Sequence, residues 1–232
     1  MDIIKEVKKE VYNLLYTDNS GHGIDHINRV LTLSLKFAKK ENANREIVSL
    51  IALLHDVDDY KLFGQECASN LTNAKRIMKN LNIPEETRNQ VLSSLKCIGY
   101  SNLLKGFRPI TIEGKIVSDA DMCDALGVNG VLRVYQYSIK NNKPFFDKDL
   151  FPTENVTFEK YTKKCADSSV CHIFEKILKL KNLMMTESGR KEAKARHQIV
   201  VDILYHLFNE ENVSDWKEYL DNFLINHYGE ES

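Results

Sequence analysis

Apolar residues recur at three- and four-residue spacing along almost the whole chain, and that periodicity leaves room for little besides helices. Ile3, Ile4, Val7, Val11, Leu14 and Leu15 share one stripe with Lys and Glu opposite. Strand alternation is nearly absent. Ten glycines and four prolines in 232 residues fall well below the roughly 12% of average usage, and folds built on many tight turns need more of both.

The turn-rich stretch 17–23, TDNSGHG, separates the first helix from a second expected from Ile24 to Lys40. A third, Glu46 to about Val57, is apolar nearly all round and should be central. Further helices are expected at about 65–81, 85–99, 112–124, 154–182, 187–211 and 214–227. The least regular segments are 100–110 and 139–152, the second long enough to suggest a lid or binding loop. No repeat or linker divides the chain, so one all-α domain over residues 1–232 is expected.

Lys plus Arg number 32 against 33 Asp plus Glu, a net charge of −1. That balance argues against a general nucleic-acid binder, though not against a small polyanion held locally. Cysteines 67, 97, 123, 165 and 171 are odd in number and form no CxxC pair, so we expect reduced thiols. The N-terminal MDIIKEVKKEVYNLLY lacks the apolar core of a signal peptide, and no apolar run approaches the ~18 residues of a membrane span. A cytoplasmic protein is the expectation.

Counting 100° per residue from Ile24 puts His26 on the face of Val30, Leu33 and Phe37, away from Asn28, Thr32, Lys36 and Lys39. His55 and Asp56 end the apolar run IVSLIALLHD and also face inward. Asp119, Asp121 and Asp124 punctuate an otherwise apolar helix, where they would repel one another without a cation or base between them. A single buried His is most often satisfied within a core. Two of them, with this many acids, favour a metal. Imidazole and carboxylate together suit Mn, Fe, Co, Ni or Zn, and such an ion lowers the pKa of a water and polarises an electrophile.

The His of DHINRV, the HD of ALLHDVDDYK and the Asp of VSDADMCDALG resemble the HD-domain superfamily of metal-dependent phosphohydrolases. More narrowly the chain is similar to small bacterial HD hydrolases with the motifs H-x-x-R-V, HD-x-x-D-x-K and D-A-D-x-x-D-A-x-G. A later T-x-x-G-R-x-x-A-x-x-R matches at Thr186 to Arg196, and the likeness runs from about Ser20 to Glu210. The resemblance implies an HD-domain helical bundle, with a core at about 20–130 and C-terminal helices at about 154–228 completing the pocket. It implies one divalent ion (Mn, Mg, Co, Ni or Fe) on His26, His55, Asp56 and Asp121. The choice of Asp121 rests on the resemblance, in which the last ligand follows an Ala; helical phase does not settle it, because Asp119 and Asp121 flank the apolar stripe on opposite sides, and Asp119 is the second choice, as a ligand or as an acceptor behind one.

It further implies that Asp59 acts on the attacking water or leaving group, with Asp58 as second choice, and that Lys61 works beside it on a phosphate oxygen. Substrate contacts fall to His22, Arg29, Lys61, His172, Lys176 and Arg190, with Arg196 and Arg133 as weaker candidates. Solvated charge remains the competing explanation of Arg29 and Lys61, and a simple turn residue that of His22. Relatives commonly carry Arg where this chain has Met122 after D-A-D. No histidine lies between Asp56 and His172, which favours one metal over two. The implied activity is hydrolysis of a phosphate ester or phosphoanhydride of a nucleotide or similar small phosphorylated metabolite. A nucleotide-sensing module without turnover is the alternative, and a dinuclear phosphodiesterase a weaker one. The expected partner is that small substrate, with no nucleic-acid polymer or membrane, and a homodimer is left open.

Overall fold

Helix ends here are set by side chains that satisfy the backbone groups a helix cannot satisfy itself. In the computed structural model, which describes residues 2–16, 23–153 and 167–229, α1 (Ile3–Leu15), α2 (Ile24–Lys40), α3 (Arg45–Leu54) and α4 (Tyr60–Asn70) come first. Then follow α5 (Thr72–Asn80), α6 (Glu85–Leu95), α7 (Tyr100–Leu104), α8 (Ile112–Asp124) and α9 (Gly127–Lys140). After α10 (Ser169–His172) come a π-helical turn (Ile173–Ile177) and a 3-10 turn (Leu178–Leu183), then α11 (Glu187–Glu210) and α12 (Ser214–Tyr228). No strand occurs among the described residues, and the fold is all-α.

Asn44 accepts the N–H groups of Glu46 and Ile47 at the head of α3, and Asp59 that of Lys61 at the head of α4. At the other ends, Asn42, Asn82, Asn142 and Asn212 take left-handed φ values of 52 to 56° after α2, α5, α9 and α11. The next residue then donates back to the helix: Ala43 to Ala38, Ile83 to Met78, Lys143 to Ser138 and Val213 to Phe208, at 2.9–3.1 Å. Asparagine tolerates this conformation where glycine is the usual choice. The low glycine content is thus compatible with many sharp helix stops.

The helix expected at 65–81 is two helices, α4 and α5, divided at Leu71, whose φ is 50°. Helix α9 was not expected. Its first turn carries Gly127 and Gly130, which read as a turn, although the helix is amphipathic, burying Val131, Val134 and Ser138 and exposing Val128, Leu132, Tyr135 and Ile139. Of the segment expected as one helix at 154–182, residues 154–166 lie outside those described, and a helix beginning at Ser169 gives way to π and 3-10 winding. The 139–152 connection is pinned rather than lid-like. Phe151 stacks on Trp216 at 4.4 Å, Phe146 meets Trp216 edge-on, and Trp216 Nε1 donates to the Lys148 carbonyl.

The chain divides into two compact units, one of Met1–Asp124 with Met184–Lys191, the other of Ala125–Leu183 with Glu192–Ser232. In the first, α2 and α8 pack on α3 and on each other. Val48, Leu50, Ile51, Ala52 and Leu53 of α3 are wholly buried, as its apolar circumference requires. The 184–191 segment joins this unit through Asp119. A Cβ on Gly189 would lie 2.2 Å from the Asp119 carboxylate, so that approach demands glycine. No described helix is long and apolar enough to cross a membrane. Cys67, Cys97, Cys123 and Cys171 are free thiols, and Cys165 is outside the described residues.

The second unit is built around Trp216, Phe174, Phe208 and Tyr219. Nearby, His197 is 4% exposed, meets Tyr228 edge-on at 4.9 Å, and leaves Nε2 without a hydrogen-bond partner. Burial, aided by the Lys181 charge, lowers its pKa from 6.5 to about 4. The folded state therefore binds this proton less well than the unfolded chain, and the stabilisation is whole above pH 6.5 and lost as pH falls toward 4. Urea unfolding should show wild-type stability declining through that window by on the order of 2 kcal/mol more than His197→Phe, which keeps the ring but cannot titrate. Parallel profiles for the two proteins would contradict this.

Candidate metal centre

Three helices bring their ligand-type side chains to one point. His26 stands in the first turn of α2 and is 2% exposed, as its helical phase requires. His55 caps the C-terminus of α3, where its Nδ1 lies 2.8 Å from the Ala52 carbonyl, one of the acceptors a helix end leaves unused. Asp56 follows at once in the turn, and Asp121 projects from α8.

The Nδ1 contacts decide where the ring protons sit. A carbonyl only accepts, so His55 Nδ1 carries a hydrogen; His26 Nδ1, 2.7 Å from Asp124 Oδ2, does so as well. With the rings neutral, both Nε2 atoms present lone pairs, and they face each other at 3.0 Å. Asp56 Oδ2 approaches them to 3.3 and 3.6 Å, and Asp121 Oδ1 to 3.5 and 3.9 Å. Two imidazole nitrogens and two carboxylates thus converge, an arrangement that suits a cation. The ligand atoms of His26, His55 and Asp56 all lie within 4.8 Å of one another. Two imidazole nitrogens and two carboxylates form a set suited to a first-row divalent ion.

The three acids of α8 do not share one partner. Helical phase sets Asp121 and Asp124 about 60° apart, with Asp119 well round the helix from both. The Asp119 carboxylate accepts from the N–H of Met185, the N–H of Thr186 and the Thr186 hydroxyl at 2.7–3.0 Å. Burial raises its pKa against the lowering pull of these donors and of Arg190. The second-choice ligand is therefore occupied in bracing the 185–186 backbone. Asp124, which the sequence reading grouped with the other acids of this helix without giving it a partner, takes both His26 and the guanidinium of Arg29. Arg29 Nε and Nη2 donate to its two oxygens at 2.7 and 3.0 Å, which raises the Arg29 pKa. Its position one turn after His26, on a helix packed against α8, was the available signal.

Among the remaining residues, buried Asp58 accepts the N–H groups of Asn73 and Ala74 and the Cys67 thiol, capping α5. Asp59 is half-buried and caps α4, while Lys61 is exposed, with Nζ 5.8 Å from the Tyr60 ring centroid. Arg190 donates to the Met184 carbonyl. His172 and Lys176 belong to the second unit, in α10 and the π-helical turn; so do Arg133, on α9, and Arg196, paired with Glu192 at 2.9 Å. His22 lies outside the described residues. Met122 and Cys123, which follow Asp121, are buried in the core.

Asp119 and Asp121 should separate cleanly on substitution. Asp121→Ala should weaken Mn²⁺ binding about tenfold or more by calorimetry without lowering the metal-free melting temperature. Asp119→Ala should instead cost about 2 kcal/mol of metal-free stability, because it strands buried backbone donors.

The family model of the HD domain matches residues 23–126. YpgQ of Bacillus subtilis is 26% identical over 204 residues, 88% of this chain and 91% of YpgQ. Its crystal structure in complex with ADP aligns with a TM-score of 0.68 at 26% identity, over 90% of this chain and 94% of that one. A Lactobacillus plantarum protein of known structure aligns at 0.77 with 27% identity, over 93% and 97% of the two chains. An HD-superfamily hydrolase from Bacillus thuringiensis aligns at 0.70 with 29% identity, over 91% and 97%. The motifs, the all-α fold and this match together identify residues 23–126 as an HD domain.

Proposed function

We propose that the protein is a metal-dependent phosphohydrolase acting on a phosphate ester or phosphoanhydride of a nucleotide or similar small phosphorylated metabolite. The observation that carries this reading is the convergence of His26, His55, Asp56 and Asp121, with the two Nε2 atoms 3.0 Å apart. The relatives support it, since the Bacillus thuringiensis protein is an HD-superfamily hydrolase and YpgQ was crystallised with ADP. When bound by these four residues, one divalent ion supplies a Lewis acid that polarises a phosphoryl oxygen and acidifies a water.

The chain's own groups do the rest. Asp59 takes or gives the proton; its N–H bonds the Asp56 carbonyl at 3.2 Å, so one tight turn carries a ligand and the proton-transfer group together. The Asp59 carboxylate is itself oriented by the Lys61 N–H. Lys61 and Arg190 supply charge to the phosphates.

Purified protein with Mn²⁺ and a panel of nucleoside mono-, di- and triphosphates should release phosphate or pyrophosphate. EDTA and His55→Ala should abolish release, and Asp59→Asn should lower kcat by about 10²- to 10⁴-fold while metal binding persists. No release from any substrate, with His55→Ala indistinguishable from wild type, would overturn the reading.

A further inference from the structure

Asp124 and Arg29 take no part in the chemistry just described, yet they are joined to it through His26. The Asp124 side chain is 2% exposed, and a carboxylate so buried is costly unless paired. Both its oxygens are in use. Oδ1 accepts Arg29 Nε at 2.7 Å, while Oδ2 accepts Arg29 Nη2 at 3.0 Å and His26 Nδ1 at 2.7 Å. A guanidinium that grips both oxygens fixes the plane of the carboxylate, and the direction of the third contact, to His26, is fixed with it.

His26 needs that direction. A free imidazole can flip its ring or carry its proton on Nε2, and either change would alter what it offers to the cluster. For His55 the matter is settled by a backbone carbonyl, that of Ala52. For His26 it is settled by side chains.

We infer that Asp124, held by the two-point grip of Arg29, is the positioning residue that sets the tautomer and ring orientation of His26, so that Arg29 serves metal affinity rather than a substrate phosphate. The inference rests on reading His26 as a metal ligand. It adds a dependence of that ligand on a pair contributed by the last residue of α8 and by α2 itself.

Histidine ring nitrogens in the metal-free full chain can be followed by two-bond ¹⁵N–¹H correlation, and Mn²⁺ affinity by calorimetry. Wild type should show His26 as the Nδ1–H tautomer. Asp124→Ala should shift it to Nε2–H or a mixture and weaken Mn²⁺ binding about tenfold or more. Arg29→Met, at a side chain 35% exposed and so the variant safer for folding, should weaken binding in the same direction. Asp124→Asn retains an oxygen for His26 and should recover most of the affinity, and adding Arg29→Met to it should cost little more.

If the pair merely ties α2 to α8, melting temperatures fall while tautomer and affinity stay as in wild type, and the inference is overturned. It is overturned equally if Arg29→Met raises only KM for a nucleotide and leaves Mn²⁺ affinity unchanged. Wild type that binds Mn²⁺ alongside unaltered variants sinks the positioning role alone; wild type that binds no Mn²⁺ sinks the ligand reading, and this role with it.

Discussion

Two carboxylates crowd against two imidazole nitrogens at 3.3 to 3.9 Å, with those nitrogens 3.0 Å apart, and the folded unit around them must hold that crowding. Hydrophobic burial is what holds it. Leu50, Ile51, Leu53 and Leu54 of α3 are essentially inaccessible, and full burial of each such side chain stabilises by about 1.5 to 3 kcal/mol. The same helix ends at His55, so an element with much to bury also aims one of the two imidazoles. Placing that ring at the end of a deeply buried helix lets a rigid core oppose the crowding of the site.

The acids of the three motifs look in sequence like one negative cluster, but they do three different things. Asp56 and Asp121 point at the imidazoles. Asp58 and Asp59 cap α5 and α4, satisfying backbone donors immediately beyond the HD pair. Asp119 and Asp124 brace neighbouring segments, through the 185–186 backbone and through His26 with Arg29. A near-zero net charge therefore reflects pairing within the fold as much as any surface balance. Most of the carboxylates near the centre have donors elsewhere in the fold, while Asp56 and Asp121 are aimed at the imidazoles.

What sequence reasoning recovered follows from local physics. The bounds of α2 and α8 and the burial of His26 come from a 100° step and an apolar stripe, which operate within a few turns. The features it did not recover are of two kinds. Helix α9 opens on two glycines that read as a turn, and the π-helical turn departs from α-helical winding. The Asp124 contacts join residues 95 and 98 positions apart, and no local period encodes such a pair. The 139–152 connection misled for a related reason, since its aromatics have their partner in Trp216, far along the chain.

The direction of Asp121 depends on how α8 is held. A helix that rolls about its axis would swing this carboxylate away from the histidines, and α8 carries a buried acid on either side of it in sequence. Five residues separate Asp119 from Asp124, which at 100° each places them about 140° apart around the axis. One is tied to the backbone at 185–186 and the other to α2. Contacts on two faces so far apart oppose roll in both senses, which a single contact does not. Gly189 permits the first of them, since a side chain there would collide with the Asp119 carboxylate. The spacing of D-A-D-x-x-D is in this sense a mechanical pattern as well as a chemical one: an acid that aims at the two imidazoles, between two acids that keep it aimed.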